Sequence, residues 1–225
     1  MTPMRQNIRL FFIFVMICRS TLAMAQQLQQ QGTGVNDLIP AGWDHTEAQG
    51  DLNKDGFNDL VVVATPNFKE KTKTRDDGYV YNFNQPILAI YFGSAEGLLQ
   101  LWQTYDQVIP AREDEYFSID ASLMITEKGV LRISLETFSS WGSWSSDDYN
   151  FSYRYQNGDF YLIGKETHSL SRNTGDVEIV SENYLTWKRQ VVKENVMEDG
   201  KDTPKVEKWS RLSKKPLEKI GEPLL

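Results

Sequence analysis

Short runs of β-branched and aromatic residues, separated by turn residues, recur along most of the chain. Leu60–Ala64 and Ile87–Phe92 are two such runs. Phe151–Tyr155 alternates aromatic and polar residues and leads into Asn157-Gly158, the strongest short-range signal for a hairpin turn. No segment shows the periodicity of a long amphipathic helix. The pattern therefore predicts an all-β, mainly antiparallel fold, arranged as a meander, a barrel or a sandwich.

One stretch in the first half of the chain has the spacing of a calcium-binding loop. Asp51, Asn53 and Asp55 occupy positions 1, 3 and 5 of the loop, and a glycine at position 6 permits the sharp turn that such loops require. The carbonyl of Phe57 falls at position 7, and the carboxylate of Asp59 falls at position 9. Because Ca²⁺ takes six to eight oxygen ligands, this pattern predicts a calcium site made by these residues.

Position 12 of the loop excludes an EF-hand. An EF-hand has a bidentate glutamate there, whereas this chain has Val62. The residues from Leu60 to Val63 favour a strand over a second helix because most of them are β-branched. The sequence thus predicts a calcium loop that leads into a strand. The alternative is a plain polar turn, since Asp, Asn and Gly are common turn residues.

The segment Gly50–Val62 resembles the FG-GAP (VCBS-type) repeat, known from the propeller domains of integrin α subunits. Ile90–Ser94, followed by Gly97-Leu98, is similar to the second strand and turn of that family. The resemblance extends over roughly residues 39–103 and implies a four-stranded β unit with a bound calcium ion. It implies five calcium ligands, of which the fourth acts through its backbone carbonyl: Asp51, Asn53, Asp55, Phe57 and Asp59.

The calcium-loop motif occurs once in the chain. A closed propeller needs several blades, and a single repeat unit is not stable alone. The sequence therefore predicts one FG-GAP-like unit, at residues 38–105, that shares its core with an unrelated antiparallel β region at residues 106–213. Residues 214–225 contain two prolines and little pattern, and we expect them to be coil.

The N-terminus has the order of a secretory signal peptide. Two arginines precede the nine apolar residues Leu10–Cys18, and Ala23-Met24-Ala25 provides a cleavage site. A transmembrane anchor is the alternative, but nine residues are too few for the roughly 20 that a spanning helix needs. We expect residues 1–25 to be removed and residues 26–37, which are glutamine-rich, to form a flexible leader. The protein would then lie in the periplasm, at the surface or outside a Gram-negative bacterium.

Cys18 is the only cysteine, and it lies inside the signal segment. Ile17 precedes it where a lipoprotein signal has a small residue, so we do not expect acylation. Cleavage leaves a chain without disulfides, whose stability must come from its core or from a metal. Removal of three arginines and no acid changes the net charge from −7 to −10. An acidic chain without a basic stripe argues against nucleic-acid binding, and no later segment is apolar enough to span a membrane.

Trp141 and Trp144 stand among serines and acids in an unusual segment. Aromatic faces stack on sugars and contact peptides, so this pair would serve as a ligand platform. The alternative is a hairpin loop whose tryptophans pack onto the sheet. We favour the alternative because isolated aromatic residues usually pack.

The favoured hypothesis for function is an exported, calcium-stabilised and non-enzymatic binding module with a protein or glycan ligand. Paired carboxylates such as Asp147 and Asp148, or Glu113 and Glu115, suggest a second hypothesis, a secreted hydrolase acting on a polysaccharide, since paired acids catalyse glycoside hydrolysis. A purely structural role in an envelope assembly is the third. No nucleophile motif accompanies His45 or His168, so we assign no catalytic residue.

Overall fold

The computed structural model of the protein describes residues 27–141, 144–197 and 205–225. Over these ranges the chain forms three antiparallel sheets of five, seven and two strands, which confirms the predicted all-β fold. No helix within them has both the length and the apolar character needed to cross a membrane. The expected signal peptide, residues 1–25, lies outside the described residues.

The strands are accompanied by a four-residue helix, α1 (Val35–Leu38), and a 3-10 turn (Lys69–Lys71). In chain order the strands are β1 (Gln31–Gly32), β2 (Asp44–Gly50), β3 (Asp59–Thr65), β4 (Thr72–Thr74), β5 (Val80–Asn82), β6 (Ile87–Gly93), β7 (Leu99–Tyr105), β8 (Phe117–Ile125), β9 (Val130–Ser139), β10 (Ser145–Gln156), β11 (Asp159–Ser171), β12 (Asp176–Asn183), β13 (Lys188–Asn195) and β14 (Val206–Arg211).

The first half of the chain forms a five-stranded sheet in the order β1-β7-β6-β3-β2, with β4 and β5 as a separate hairpin between β3 and β6. The inner strand β3 is buried on both faces, since every residue from Leu60 to Ala64 is at most 4% exposed. This explains why β3 is a continuous apolar run rather than an alternating one. Val61 and Val63 face the second sheet, while Leu60 and Val62 face the N-terminal segment.

The second half forms a seven-stranded meander in which β8 to β14 lie side by side in chain order. The predicted turn at Asn157-Gly158 joins β10 to β11, and its residues have positive φ angles of 52° and 80°, which suit Asn and Gly. Side chains alternate along the strands, as in β9, where Leu131 and Ile133 are buried and Arg132 is exposed. One face of this sheet therefore joins the core, and the other face is polar.

The two large sheets pack against each other around one continuous core. The cluster includes Val63 and Ile90 of the first sheet and Ile133 and Phe160 of the second. Trp102 of β7 packs edge-on against Phe160 of β11, with ring centroids 5.3 Å apart. The described residues thus contain one blade-like sheet packed on a larger half-barrel sheet, and no closed propeller.

Residues 27–43 cover the other face of the first sheet, which differs from the flexible leader expected for residues 26–37. Leu38 is fully buried, and Trp43 is 8% exposed, in the cluster with Leu60 and Tyr91. Gln31–Gly32 pairs with β7. The prediction of flexibility depended on the glutamine-rich composition of the segment. Composition does not reveal that a few apolar side chains in it cover the outer face of the sheet.

The C-terminal segment also contributes to the core, although its composition predicted coil. The Leu162 amide donates to the Glu218 carbonyl (2.8 Å), and the Ile220 amide donates to the Phe160 carbonyl (3.0 Å). Ile220 and Leu224 are 5% and 8% exposed within the shared cluster. The segment packs on β11 through two isolated backbone hydrogen bonds and two apolar side chains. Such contacts produce no repeating hydrophobic pattern in the sequence, so the packing of this segment could not be predicted locally.

Candidate functional site

The predicted calcium loop joins β2 to β3 at one end of the first sheet, between the paired residues Gly50 and Asp59. Leu52 anchors it in the core with 1% exposure. The turn between β8 and β9 lies against the loop backbone, since a Cβ added at Gly129 would be 2.7 Å from the carbonyl oxygen of Asp51. The loop is therefore exposed on one side and supported by both large sheets.

The side chains at positions 1, 3 and 5 turn back into the loop. The Asp51 carboxylate accepts hydrogen bonds from the amides of Lys54 (2.6 Å), Asp55 (3.2 Å) and Gly56 (3.0 Å). The Oδ1 of Asn53 accepts from the Asp55 amide at 3.0 Å, and the Oδ1 of Asp55 accepts from the Phe57 amide at 2.9 Å. These contacts wind the loop tightly, and they place its side-chain oxygens on the inner side of the turn.

Asp59, at position 9, connects the loop to two strands. It is fully buried, and its carboxylate accepts hydrogen bonds from the amides of Leu52 (2.7 Å), Asn53 (3.4 Å) and Gly93 (2.9 Å). Burial raises the pKa of Asp59 above its usual value, while the three amide donors act in the opposite direction. The backbone thus holds the carboxylate in place, at the junction of the loop with β3 and β6.

The donor groups of the loop match calcium in chemistry. Three carboxylates lie within nine residues, and among the described residues none of Asp51, Asp55 and Asp59 forms an ion pair. The carbonyl of Phe57 accepts no hydrogen bond from the described part of the chain. An asparagine oxygen completes an all-oxygen set, which a hard cation prefers.

The loop does not, however, gather three acidic side chains around one point. Among the residues that the structure describes, no three His, Cys, Asp or Glu side chains are arranged to hold a metal ion. The predicted set depends instead on the Asn53 amide oxygen and the Phe57 carbonyl beside its carboxylates. Calcium binding by this set therefore stays a prediction.

Trp141 and Trp144 do not pack onto the sheet, so the interpretation favoured from sequence is wrong. They are 77% and 68% exposed, and the nearest ring to Trp141 is that of Tyr116, at 6.1 Å between centroids. The ladders of β9 and β10 end at Ser139 and Ser145, so the tryptophans lie beyond the surface onto which they would fold. Their contact with a ligand stays a prediction.

In the Asp147–Asp148 pair suggested for a hydrolase, the two carboxylates do not share a face. Asp147 and Asp148 are consecutive in β10, so their side chains leave opposite sides of the sheet. Asp148 lies 3.6 Å from the Nδ1 of His168 on the polar face. The two acids therefore cannot flank one glycosidic bond, as a hydrolase of this kind requires.

Gly93 has a role that its local sequence does not reveal. Its amide donates to the buried Asp59, and a Cβ at this position would lie 2.1 Å from the Asn58 carbonyl oxygen. The one local signal is a glycine directly after the apolar run Ile87–Phe92.

Comparison with known proteins identifies one segment of the first half of the chain. Residues 45–83 match the model of the FG-GAP repeat. The match spans β2, the loop, β3 and the β4–β5 hairpin. No curated protein and no solved structure matches the chain. Together with the single loop motif, the match shows that the chain contains one FG-GAP-type repeat.

Proposed function

We propose that this protein is an exported, non-enzymatic interaction module whose FG-GAP repeat is stabilised by one calcium ion in the Asp51–Asp59 loop. An FG-GAP repeat indicates an interaction module of the β-propeller type. The observation that supports calcium most directly is the wound loop, in which Asp51, Asn53 and Asp55 all turn their oxygens inward.

The proposed ligands are the side chains and the one carbonyl that the loop pattern predicts: Asp51, Asn53, Asp55, Phe57 and Asp59. A bound ion would supply the positive charge that neighbouring side chains do not provide. Since Asp59 also accepts from the Gly93 amide, binding at the loop would be transmitted to β6. An ion at 100 times its dissociation constant stabilises the folded state by about 2.7 kcal/mol.

Export and the absence of catalysis rest on separate observations. Residues 1–25 have the order of a cleaved signal peptide, and their removal leaves no cysteine for a disulfide, so a metal is a useful source of stability. The acids Asp147 and Asp148 point to opposite faces of β10.

Extracellular calcium modules bind the ion with dissociation constants of about 10⁻⁴–10⁻³ M, which suits an exported protein.

Thermal unfolding of residues 26–225, the form expected after cleavage, tests the calcium site. With a dissociation constant of about 10⁻⁴–10⁻³ M, calcium at about 1 mM stabilises the folded state by about 0.4–1.4 kcal/mol, which should raise the melting temperature by about 1–6 °C relative to excess EGTA. Asp55→Ala removes a ligand and should abolish the response. Asp76→Ala removes an acid from the distant β4–β5 hairpin. This variant should show the same calcium-dependent rise in melting temperature as wild type. If wild type and Asp55→Ala melt at the same temperature in both buffers, the loop is only a polar turn and the calcium proposal is wrong.

Export is tested independently of the ion. The full chain is expressed in a Gram-negative host, and the cell fractions are analysed by mass spectrometry. A periplasmic or secreted product that begins at Gln26 supports the proposal. An intact chain that begins at Met1 and stays in the cytoplasm contradicts it.

A further inference from the structure

The face of the seven-stranded sheet that points away from the core is polar. It carries an open groove with a volume of about 510 Å³, a volume typical of ligand sites. The residues that line this groove come from six neighbouring strands, β9 to β14. We call the groove the polar trough. It is separate from the calcium loop, and none of its residues belongs to the FG-GAP match at residues 45–83.

Two cross-strand rows of side chains form the polar trough. The first, which we call the amide row, crosses β10 to β14 and consists of Asn150, Glu166, Ser181, Gln190 and Trp209. The second, which we call the cationic row, crosses β9 to β13 and consists of Arg132, Ser152, Gly164, Asn183 and Lys188. With neighbouring strands about 4.8 Å apart, each row is about 19 Å long, enough for an extended ligand lying across the strands.

Gly164 leaves the middle of the cationic row open. A Cβ at this position would lie 3.2 Å from the Glu182 carbonyl oxygen and 3.9 Å from the Cβ of Ser152. Both flanking strands therefore come close to the glycine, and no side chain rises from it. The row is therefore open at this point, between Arg132 on one side and Lys188 on the other.

The amide row has polar groups that the protein leaves available. The Oδ1 of Asn150 accepts from Ser134 at 2.6 Å, and the Nε2 of Gln190 donates to Glu207 at 2.9 Å. The Nδ2 of Asn150 and the Oε1 of Gln190 have no hydrogen-bond partner among the described residues. One donor and one acceptor in the same row suit a ligand rich in hydroxyl groups, since each hydroxyl both donates and accepts.

The cationic row carries positive charge that no described acid neutralises. Within residues 27–141, 144–197 and 205–225, neither Arg132 nor Lys188 forms an ion pair. Glu166, the one acid of the amide row, accepts a hydrogen bond from Ser181 at 2.7 Å, and it forms no ion pair with Arg132 or Lys188. Unpaired cations in a chain of net charge −7 favour a ligand with carboxylate groups, which an arginine binds in a bidentate manner.

Trp209 provides an aromatic surface at the end of the amide row. It is 60% exposed, and its ring N–H donates to the Glu207 carboxylate, which orients the indole beside Gln190. Large aromatic side chains present one apolar face and a polar edge. An exposed ring in this position suits stacking on a sugar ring.

We propose that the polar trough binds an oligosaccharide that carries carboxylate groups. Its hydroxyls bind the amide row, its carboxylates bind Arg132 and Lys188, and one sugar ring stacks on Trp209. This rests on the proposed function as an interaction module and names the ligand class. A peptide is less well matched, because peptides that bind a sheet lie along a free strand edge or fill apolar pockets, whereas the two rows run across the strands and consist mainly of polar side chains.

The test measures binding of residues 26–225 to immobilised oligosaccharides, with uronic-acid oligomers as the acidic probes and cello-, xylo- and chito-oligosaccharides as the neutral probes. An extended-peptide library is tested in parallel. All measurements are made in EGTA, so that calcium does not bridge the acidic probes, and are repeated with calcium. We expect an acidic probe to bind in both buffers, and to bind more weakly at high salt.

Variants locate the binding surface. Trp209→Ala and Arg132→Gln should each weaken binding of the acidic probe about tenfold or more. Lys208→Gln removes a positive charge from the opposite face of β14, next to Trp209 in sequence, and should leave binding unchanged. Thermal melts confirm that each variant is folded. Trp141→Ala tests the competing platform at the tip of the β9–β10 hairpin.

Several results would overturn this assignment. They are no binding to any oligosaccharide, equal binding of neutral and acidic probes, binding of peptides alone, and loss of binding in Trp141→Ala but not in Trp209→Ala. The calcium melt is a separate measurement. If it fails while the acidic probe still binds, only the calcium proposal is wrong; if the melt succeeds and no probe binds, only the trough assignment is wrong.

Discussion

The amide of Gly93, at the end of β6, donates a 2.9 Å hydrogen bond to the Oδ1 of Asp59, at the start of β3. This contact fixes the end of the Asp51–Asp59 loop to the neighbouring strand. It requires a close approach, because a Cβ at Gly93 would lie 2.1 Å from the carbonyl oxygen of Asn58. The glycine of the Phe92-Gly93 pair is therefore needed for the loop to close onto the sheet.

Gly93→Ala should destabilise the protein through this contact. The added methyl group forces the loop away from β6, and overpacking of this kind lowers the free energy of unfolding by about 1–3 kcal/mol. Gly34→Ala is the matched control, since a Cβ there has no atom within 4 Å. Urea unfolding of the two variants provides the measurement. Equal midpoints for both would show that the loop adapts and that the close approach is unimportant.

Tyr91→Phe should change stability at alkaline pH. The Tyr91 ring is fully buried, its hydroxyl donates to the Gln29 carbonyl at 3.1 Å, and burial raises its pKa from 10.0 to about 12. Between these values the folded protein keeps a proton that the unfolded chain has lost, so stability falls as pH rises. Between pH 10 and pH 12 the free energy of unfolding of the variant should fall less steeply with pH than that of wild type. The two slopes should differ by the equivalent of up to one bound proton.

The measurement for Tyr91→Phe is the free energy of urea unfolding as a function of pH. At neutral pH the variant loses one hydrogen bond, which costs about 0.5–1.5 kcal/mol. Tyr79→Phe, at the exposed end of the β4–β5 hairpin, controls for loss of a hydroxyl at the surface. Identical alkaline slopes for wild type and Tyr91→Phe would mean that this ring does not contribute to the pH dependence.

Glu136→Gln should stabilise the protein. On the polar face of the second sheet, Glu136 of β9 lies directly between Asp120 of β8 and Asp148 of β10. Like charges at directly opposite positions are destabilising, and solvent screening limits the gain from removing one to about 0.2–0.5 kcal/mol. Added salt should raise the melting temperature of wild type more than that of the variant. Glu96→Gln, in the β6–β7 turn, is the control. An equal gain in stability in this control would show that repulsion between Glu136 and its two acidic neighbours is not the cause.

The fold class and the repeat could be predicted because their signals are local. The alternation in β10, the Asn157-Gly158 turn and the loop spacing each lie within a dozen residues. The burial of Leu38 and Leu224 could not, because it depends on surfaces formed by strands distant in the chain. The polar trough has the same origin: Arg132 and Lys188 share a row only through the register of five paired strands.

Phe160→Ala should destabilise both sheets together. Phe160 of β11 is fully buried and contacts Trp102 of β7 at 5.3 Å between ring centroids, so the substitution leaves a cavity between the sheets. Such a change costs about 3–5 kcal/mol. Because the described part of the chain contains no second blade for the FG-GAP unit to pack on, the inner face of this unit depends on the contact with Phe160. The loss should therefore lower the midpoints of both halves equally.

Urea unfolding followed by tryptophan fluorescence and by far-ultraviolet circular dichroism measures this coupling. Coincident transitions by both probes, in wild type and in Phe160→Ala, are expected for one cooperative unit. Leu98→Ala, an exposed residue of the β6–β7 turn, should leave the midpoint nearly unchanged. Two separated transitions in wild type would show that the repeat and the seven-stranded sheet fold independently. The shared core would then be a contact between two stable units rather than the reason that a single repeat is folded at all.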